Sequence, residues 1–503
     1  MSADPDAADA PRIRESALQT LVEAGRRAAS LALGEEAERI FDRATELAED
    51  DATRAELLEQ SGRAAWLAGD ADAARERLEA AIELFDAGGR TDAAAWATAA
   101  VADVLAMTDR LDEALPLAER AYEGLDSDSE RAAVAAQLAK LHMFRTDLEP
   151  AIEATDEALA MAEPARAWET IADALITRGT VQDWRGRPEE GNALMSRGLE
   201  LALRHDLPLM AIRAHNNLGA TAWGGDRTAE ALDHCEQALA MTRARGDRVW
   251  ERQLLGSKIS SLAALGRWDE AVALAGTLGV EQANERDIFY LSDALVGIAR
   301  IQVARADHPA LERTMELIAL GLESTDTQIR HSCATAKAMA VQVLGDPAQA
   351  IELARPVIGG EDPGSRRYAY AEACLAAWRL DDEADLVELI SYVEELPPGG
   401  APPSMRAHAD RFAGLLAARR RNSAASTKRL RRAASGFREL GYPFELGQVL
   451  LEHGETLLGA DRGEEAERLL TEAGATFAEL RAEPWLERVA RARERSAKVA
   501  PSQ

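Results

Sequence analysis

The sequence predicts an all-α fold, a right-handed α-solenoid of about twelve helical hairpins. A turn containing Gly or Asp, followed by an acidic residue and alanine, returns about every 35–41 residues along the chain. Hydrophobic residues make up 47% of the composition but aromatic residues only 5%, which favours closely packed helices over sheet. Because one hairpin cannot bury its apolar stripe alone, neighbouring hairpins are expected to stack on each other.

The recurring turns justify the hairpins one by one. In the turn WGGDRTAEA, which begins at Trp223, Gly and Asp tolerate the backbone that reverses the chain. The helix after it carries apolar residues at helical spacing, namely Ala231, Leu232, Cys235, Ala238 and Leu239. Comparable turns begin at Leu33, Leu67, Met107, Phe144, Trp184, Leu265, Ala304, Leu344, Leu380 and Leu458, with a weaker one near Arg421.

The hairpins are predicted to fill almost the whole chain. Helical repeats are expected at 13–396 and 404–492, with a Pro- and Gly-rich loop, PPGGAPP, at 397–403 between them. Residues 1–12 and 493–503 are expected to be flexible tails.

The charge is strongly acidic and unevenly distributed. The chain has 58 Lys and Arg against 87 Asp and Glu, and residues 1–200 alone hold 43 acids and 21 bases. Such a chain repels polyanions, so direct DNA binding and attachment to an anionic membrane are not expected. No apolar run approaches the ~18 residues of a membrane span, and no signal segment is visible, so a cytoplasmic location is expected.

One basic cluster interrupts the acidic surface between Arg419 and Arg438. Two interpretations are open: a solvated or protein-contacting face, which the absence of interleaved aromatic residues favours, or a phosphate contact.

No motif for catalysis or metal binding is present. The chain has no G-x-x-x-x-G-K-[ST] phosphate loop, and its eight histidines form no H-E-x-x-H pair. Its three cysteines, Cys235, Cys333 and Cys374, are too scattered for a disulfide framework or a zinc site. The sequence therefore predicts neither enzymatic activity nor a cofactor.

The repeats resemble the tetratricopeptide repeat (TPR). The segment from His215 to Asp247 has the Leu-Gly pair, the second-helix Ala and the later Ala-Leu of that family, at Leu218, Gly219, Ala231, Ala238 and Leu239. It lacks the early Trp and the final Pro. Three longer segments are similar to the C-terminal repeat region of actinobacterial signal-transduction ATPases, LuxR-type regulators and cyclase-linked regulators: Leu21–Asp70, Glu251–Ala271 and Phe437–Gly459.

The TPR resemblance implies a concave ligand groove lined by the first helix of each hairpin. In the segment around Gly219, the family's groove positions fall on Arg213, Asn216, Asn217 and Trp223. Neighbouring first helices add Trp184, Ser257 and Lys258. Asn can hold a peptide backbone, Arg can bind a carboxylate, and Trp offers a flat apolar wall. The same residue types also serve packing and capping, and Trp268 in a turn is expected to be a packing residue.

The sequence thus predicts a non-catalytic TPR scaffold that binds a protein or peptide in its groove, as a sensor or adaptor in bacterial signalling or transcriptional regulation. Its partner would be a protein such as an ATPase, a cyclase or a transcription factor, and a homo-oligomer is left open. The alternative is the effector-sensing tail of a larger ATPase or cyclase regulator that binds a small molecule.

Overall fold

A computed structural model describes residues 10–280, 283, 287–360, 363–397 and 400–499. Within these residues the chain forms 25 α-helices and no strand. The first twelve are α1 (Ala10–Ser30), α2 (Gly34–Thr45), α3 (Asp51–Ala68), α4 (Ala71–Ala87), α5 (Thr91–Ala106), α6 (Leu111–Gly124), α7 (Asp128–Phe144), α8 (Leu148–Ala165), α9 (Trp168–Trp184), α10 (Pro188–Arg204), α11 (Pro208–Gly224) and α12 (Thr228–Arg245). The others are α13 (Arg248–Ala264), α14 (Trp268–Leu278), α15 (Ile288–Arg305), α16 (His308–Gly321), α17 (Thr327–Val343), α18 (Pro347–Ile358), α19 (Pro363–Arg379), α20 (Glu383–Glu395), α21 (Pro403–Arg419), α22 (Ser423–Leu440), α23 (Pro443–Leu458), α24 (Gly463–Leu480) and α25 (Glu483–Val499).

The predicted all-α chain of repeated helical hairpins is confirmed. Odd-numbered helices are the first helices of the hairpins and even-numbered helices are the second, with α25 following the last hairpin. Partners such as α3 and α4, or α21 and α22, pack against each other along their length. First helices are buried around most of their circumference, as in α5, whereas second helices such as α4 bury one stripe.

The turn motif has a simple backbone explanation. Gly69 adopts a left-handed φ of 87° and ends α3, which glycine tolerates because it has no Cβ. The next residue, Asp70, caps α4 by accepting a hydrogen bond of 3.0 Å from the Ala73 backbone N–H. The turn at Asp381 and Asp382 has the same arrangement, with a left-handed Asp in place of Gly. One residue reverses the chain and the next starts the second helix.

The chain divides into two compact units. Unit 1 comprises residues 1–182, 189–215 and 237–251, and unit 2 comprises residues 183–188, 216–236 and 252–503. Unit 2 has a large apolar core with members from Ile259 to Ala492, beside a small separate cluster around Val341, and in the large core the predicted packing residue Trp268 is only 1% exposed. The described part of unit 1 has several smaller clusters instead, for example around Leu105 and around Phe41.

Within unit 2, helices far apart in sequence also meet. First helices contact the next first helix along the chain, and α15 also contacts α25 directly. The Arg305 Nε donates a hydrogen bond of 3.1 Å to the backbone oxygen of Leu480. Contacts of this range bring the side chains of many first helices into one region.

The helices extend beyond two of the predicted boundaries. Helix α1 begins at Ala10, inside the tail predicted at 1–12, and α25 continues to Val499, past the tail start predicted at 493. Residues 1–9 and 500–503 lie outside the described residues. The loop predicted at 397–403 separates α20 from α21, although 398–399 also lie outside the described residues.

Candidate functional site

A cavity of about 700 Å³ lies within unit 2. Its walls come mainly from the first helices α15, α17, α19, α21, α23 and α25. Clefts of this size accommodate small ligands or short peptide segments. The cavity therefore defines the candidate site more clearly than any sequence motif.

Helix α19 contributes a continuous stripe to the cavity. Tyr368, Glu372, Leu375 and Arg379 all line it, at the spacing that places residues on one face of a helix. Glu372 is a half-buried charged residue in a mostly buried first helix, which is unusual, whereas Arg379 is exposed at the end of the helix. This stripe of charges on a predicted first helix is the signal that the sequence analysis missed.

Five arginines and two glutamates line the cavity, although the whole chain is acidic. Four of the arginines have a carboxylate partner: Arg300 pairs with Glu445, Arg411 with Glu452, Arg488 with Glu455 and Arg491 with Glu487. The Arg411–Glu452 pair is bidentate, with N–O distances of 2.7 and 2.6 Å, and is buried.

Arg379 is the exception among these five. Its Nη1 donates to the Gln342 backbone oxygen at 2.8 Å and also contacts the Gln342 side-chain oxygen, and it forms no ion pair with a carboxylate in the described part of the chain. Burial lowers the pKa of Arg379, Glu372 opposes that shift, and the nearby charges of Arg488 and Arg411 lower it further. A bound anion would relieve this repulsion, so Arg379 is suited to hold one.

Aromatic side chains form the apolar part of the wall. Phe444 and Trp485 meet edge to face, with ring centroids 5.5 Å apart. The Arg300 guanidinium lies over the rings of Tyr368 and Phe444, at 5.4 and 5.7 Å from their centroids. The cavity thus combines flat apolar surfaces with charged groups.

Two buried polar atoms at the cavity have unused hydrogen-bonding capacity. Glu445 accepts from Arg300 through Oε1, while its buried Oε2 has no hydrogen-bond partner. The Nδ1 atom of His408 is in the same situation. Burial, together with the charges of Arg411 and Arg300, lowers the pKa of His408 well below its ordinary value, which favours the neutral ring.

None of the seven sequence-predicted groove residues lines this cavity. Arg213, in unit 1, is 8% exposed and binds Asp173 and the Thr177 hydroxyl at 2.6 and 2.7 Å. Trp223, in unit 2, packs against the Arg367 guanidinium, 4.0 Å from its ring centroid. Both residues make internal contacts, the guanidinium of Arg213 with its polar partners and the half-buried Trp223 with Arg367, and their assignment to a ligand groove stays a prediction.

The other five groove residues stay a prediction. Asn216, Asn217 and Trp184 are half-buried, and the Asn216 side chain donates to the Asn217 side chain at 3.2 Å. Ser257 and Lys258 make surface contacts with Asp293 and Glu236.

A buried polar cluster stabilises unit 2 near the cavity. The guanidinium of Arg367, whose side chain is 1% exposed, forms an ion pair with Asp226 and donates to the Tyr442 hydroxyl at 3.0 Å. The Tyr442 hydroxyl also bonds Asp226 and Thr228, and Asp226 accepts from the Ser404 backbone N–H at 2.7 Å. The cluster ties the turn before α12 to α19, α21 and the start of α23.

The basic cluster between Arg419 and Arg438 is largely neutralised within the chain. Six of its members form ion pairs with carboxylates of unit 2: Arg419, Arg420, Arg429, Arg431, Arg432 and Arg438. The first of the two interpretations, a solvated and internally paired face, therefore fits the structure better than a phosphate contact.

The described residues offer little other chemistry. Cys235, Cys333 and Cys374 are buried free thiols. Among the described residues, no group of His, Cys, Asp and Glu is placed to hold a metal ion. No helix in those residues is long and apolar enough to cross a membrane.

The geometry defines a class of protein, an all-α chain of helical hairpins with a charged cavity in one unit. Neither a protein-family model nor a curated protein matches the sequence. One similar solved structure is described as the crystal structure of a Rap protein complexed with competence and sporulation factor. It shares 13% identity at a TM-score of 0.47, over 75% of this chain and 99% of that chain. At this score the similarity supports no conclusion about function, and the fold rests on the helices of this chain themselves.

Proposed function

We propose that the chain is a non-catalytic helical-repeat scaffold whose unit 2 binds an anionic segment of a protein or peptide in the cavity. Its role would be that of a sensor or adaptor in bacterial regulation, as the resemblance of its repeats implies. The observation that carries the proposal is Arg379, a cavity arginine without an ion-pair partner in the described residues beside two further arginines.

The surroundings of Arg379 support recognition of a carboxylate. Arg411 and Arg488 are held in place by Glu452 and Glu455, so their charges are fixed before a ligand arrives. Phe444 and Trp485 provide apolar surface for the uncharged part of the ligand. Such preorganisation suits binding rather than chemistry.

A second candidate is favoured by the size of the cavity. About 700 Å³ is within the range of small-molecule sites, so the same arginines would also accept the carboxylate of a metabolite. The chain would then be the effector-sensing part of a larger regulator. Both candidates share one chemistry, an anion bound at Arg379.

The test is affinity selection with the full chain, read by mass spectrometry. One arm uses a synthetic peptide library with acidic positions and the other a set of small carboxylic acids. We expect carboxylate ligands whose affinity falls roughly 10- to 100-fold in Arg379→Gln, as for a lost charge-assisted hydrogen bond. The arm that yields the ligands decides between peptide and metabolite.

The matched control is Arg420→Gln, which removes the same charge from an exposed position of unit 2 that does not line the cavity. Its affinity should equal that of the wild type. Failure of both arms to yield a ligand, or equal losses in the two variants, would contradict the proposal.

A further inference from the structure

The two ends of the cavity, taken along the axes of its helices, carry different chemical groups. Helices α19 and α23 each span the distance between these ends. On α19, Tyr368 lies in the second turn and Arg379 is the last residue, about 16 Å further along the helix axis. On α23, Glu445 lies near the beginning and Glu455 ten residues later, about 15 Å further along.

The first end of the cavity, at Glu445, has a hydrogen-bond acceptor without a donor. Arg300 joins the beginnings of the two helices, because it donates to the Tyr368 hydroxyl at 3.3 Å and pairs with Glu445. Glu445 is 6% exposed, and its Oε2 has no hydrogen-bond partner. A buried carboxylate oxygen left without a donor is costly, so a donor from a ligand would be strongly favoured.

The second end of the cavity, at Arg379, is suited to bind an anion. Glu455, late on α23, holds Arg488 at 2.6 Å, and the charge of Arg488 acts on Arg379 at the end of α19. Arg491 adds a further cation on the next turn of α25. Three of the five cavity arginines, Arg379, Arg488 and Arg491, therefore lie toward the end opposite to Glu445.

The cavity wall also includes apolar side chains. Val303, Val343, Ala371 and Leu375 line the cavity, and Leu375 lies between Tyr368 and Arg379 on the α19 stripe. Glu372, on the same stripe, accepts a hydrogen bond of 2.5 Å from the Gln342 side chain, and burial raises its pKa. Apolar and polar side chains therefore alternate along the cavity wall, since Gln448 and Arg411 line it as well.

We infer that the ligand is dipolar, with an amine that donates a hydrogen bond to Glu445 and a carboxylate at Arg379, the two groups lying about 15 Å apart along the helix axes. This inference rests on the proposed function and specifies its ligand. The same dipolar chemistry is available from an extended peptide segment or from an elongated metabolite.

Capped peptides with one Lys and one Glu separated by a varied number of apolar residues provide the probes. Binding to the full chain is measured by titration calorimetry. Affinity should peak at a charge separation of about 15 Å and fall at least tenfold when norleucine replaces Lys or glutamine replaces Glu. In Glu445→Gln, the affinity gained from the Lys of the probe should be lost while the gain from its Glu remains. In Arg379→Gln, the affinity gained from the Glu of the probe should be lost while the gain from its Lys remains.

The outcomes distinguish this inference from the proposed function. If probes with Glu alone bind as tightly as dipolar probes, the inference is wrong and the anion site stands. If no probe and no library member binds, both are wrong. Should Glu445→Gln fail to fold, the Lys-to-norleucine comparison on the wild-type chain still decides, because it leaves the protein unchanged.

Discussion

His453 shows how burial and neighbouring charge act on one residue of unit 2. Burial, with added repulsion from Arg431 and Arg462, lowers its pKa to about 4. In the unfolded chain a histidine takes up a proton near pH 6.5, roughly its ordinary pKa. Between these two values the unfolded state binds more protons than the folded state, so acidification destabilises the fold.

His453→Gln should therefore lessen the acid sensitivity of the chain. Melting temperatures of both proteins are measured at pH 7 and pH 5. The melting temperature of the wild type should fall more from pH 7 to pH 5 than that of the variant, because only the wild type loses the contribution of a neutral histidine. Comparing the two proteins cancels groups such as Glu372, whose raised pKa acts in the opposite direction. A difference that does not change with pH would contradict the assignment.

Tyr442 is a second residue whose role can be measured. Its hydroxyl bonds Asp226, Thr228 and Arg367 inside unit 2. Tyr442→Phe should cost about 1–3 kcal/mol of unfolding free energy, because it leaves buried partners unsatisfied. Denaturant unfolding measures this, with Tyr392→Phe on α20 as the control that should change little. Equal effects of the two changes would show that the polar cluster contributes nothing specific.

At the scale of the helix, close crossings depend on particular glycines. A Cβ at Gly179 on α9 would lie 2.6 Å from the Met195 Cγ and 2.7 Å from the Gly191 backbone oxygen. At Gly219, which the TPR resemblance marks, a Cβ would meet its nearest atoms at 3.5 Å, an ordinary contact. The residue that matches the family consensus is thus not the one whose size is most restricted.

Gly179→Ala should destabilise the chain by about 1–3 kcal/mol, because the backbone oxygen of Gly191 cannot move as a side chain can. Gly276→Ala on α14 is the matched control, since nothing lies within 4 Å of its Cβ position. It should be neutral or stabilise by up to about 1 kcal/mol through helix propensity. Unfolding curves of the two variants test this, and a tolerated Gly179→Ala would refute the steric argument.

Helices and turns could be predicted from the sequence, whereas the cavity could not. Helices and turns follow from local patterns, such as Gly69 followed by the capping Asp70, so the hairpins were predictable. The cavity was not, because it depends on contacts between distant elements such as α15 and α25. A repeat consensus describes neighbours only, which is why it pointed to Arg213 and Trp223, whose side chains make internal contacts.

For the whole molecule, net charge and internal pairing lead to one prediction about nucleic acid. The chain carries a formal charge of −29, and most arginines of the cluster between Arg419 and Arg438 are paired. A mobility-shift assay at about 0.15 M salt, where the remaining field is screened, should show no binding to single- or double-stranded DNA. Salt-dependent binding that is lost in Arg431→Gln/Arg432→Gln would overturn this interpretation of the cluster.

The ligand is expected to bind in the cavity of unit 2 with its anionic group at Arg379. Photo-crosslinking tests this most directly, using the tightest capped Lys/Glu peptide with a diazirine next to its Glu, and mass spectrometry to locate the adducts. We predict adducts on the inner stripe of α19 around Leu375 and on α25 around Arg488. Adducts on α11 and α13 near Asn216 and Lys258, or in unit 1, would contradict the account.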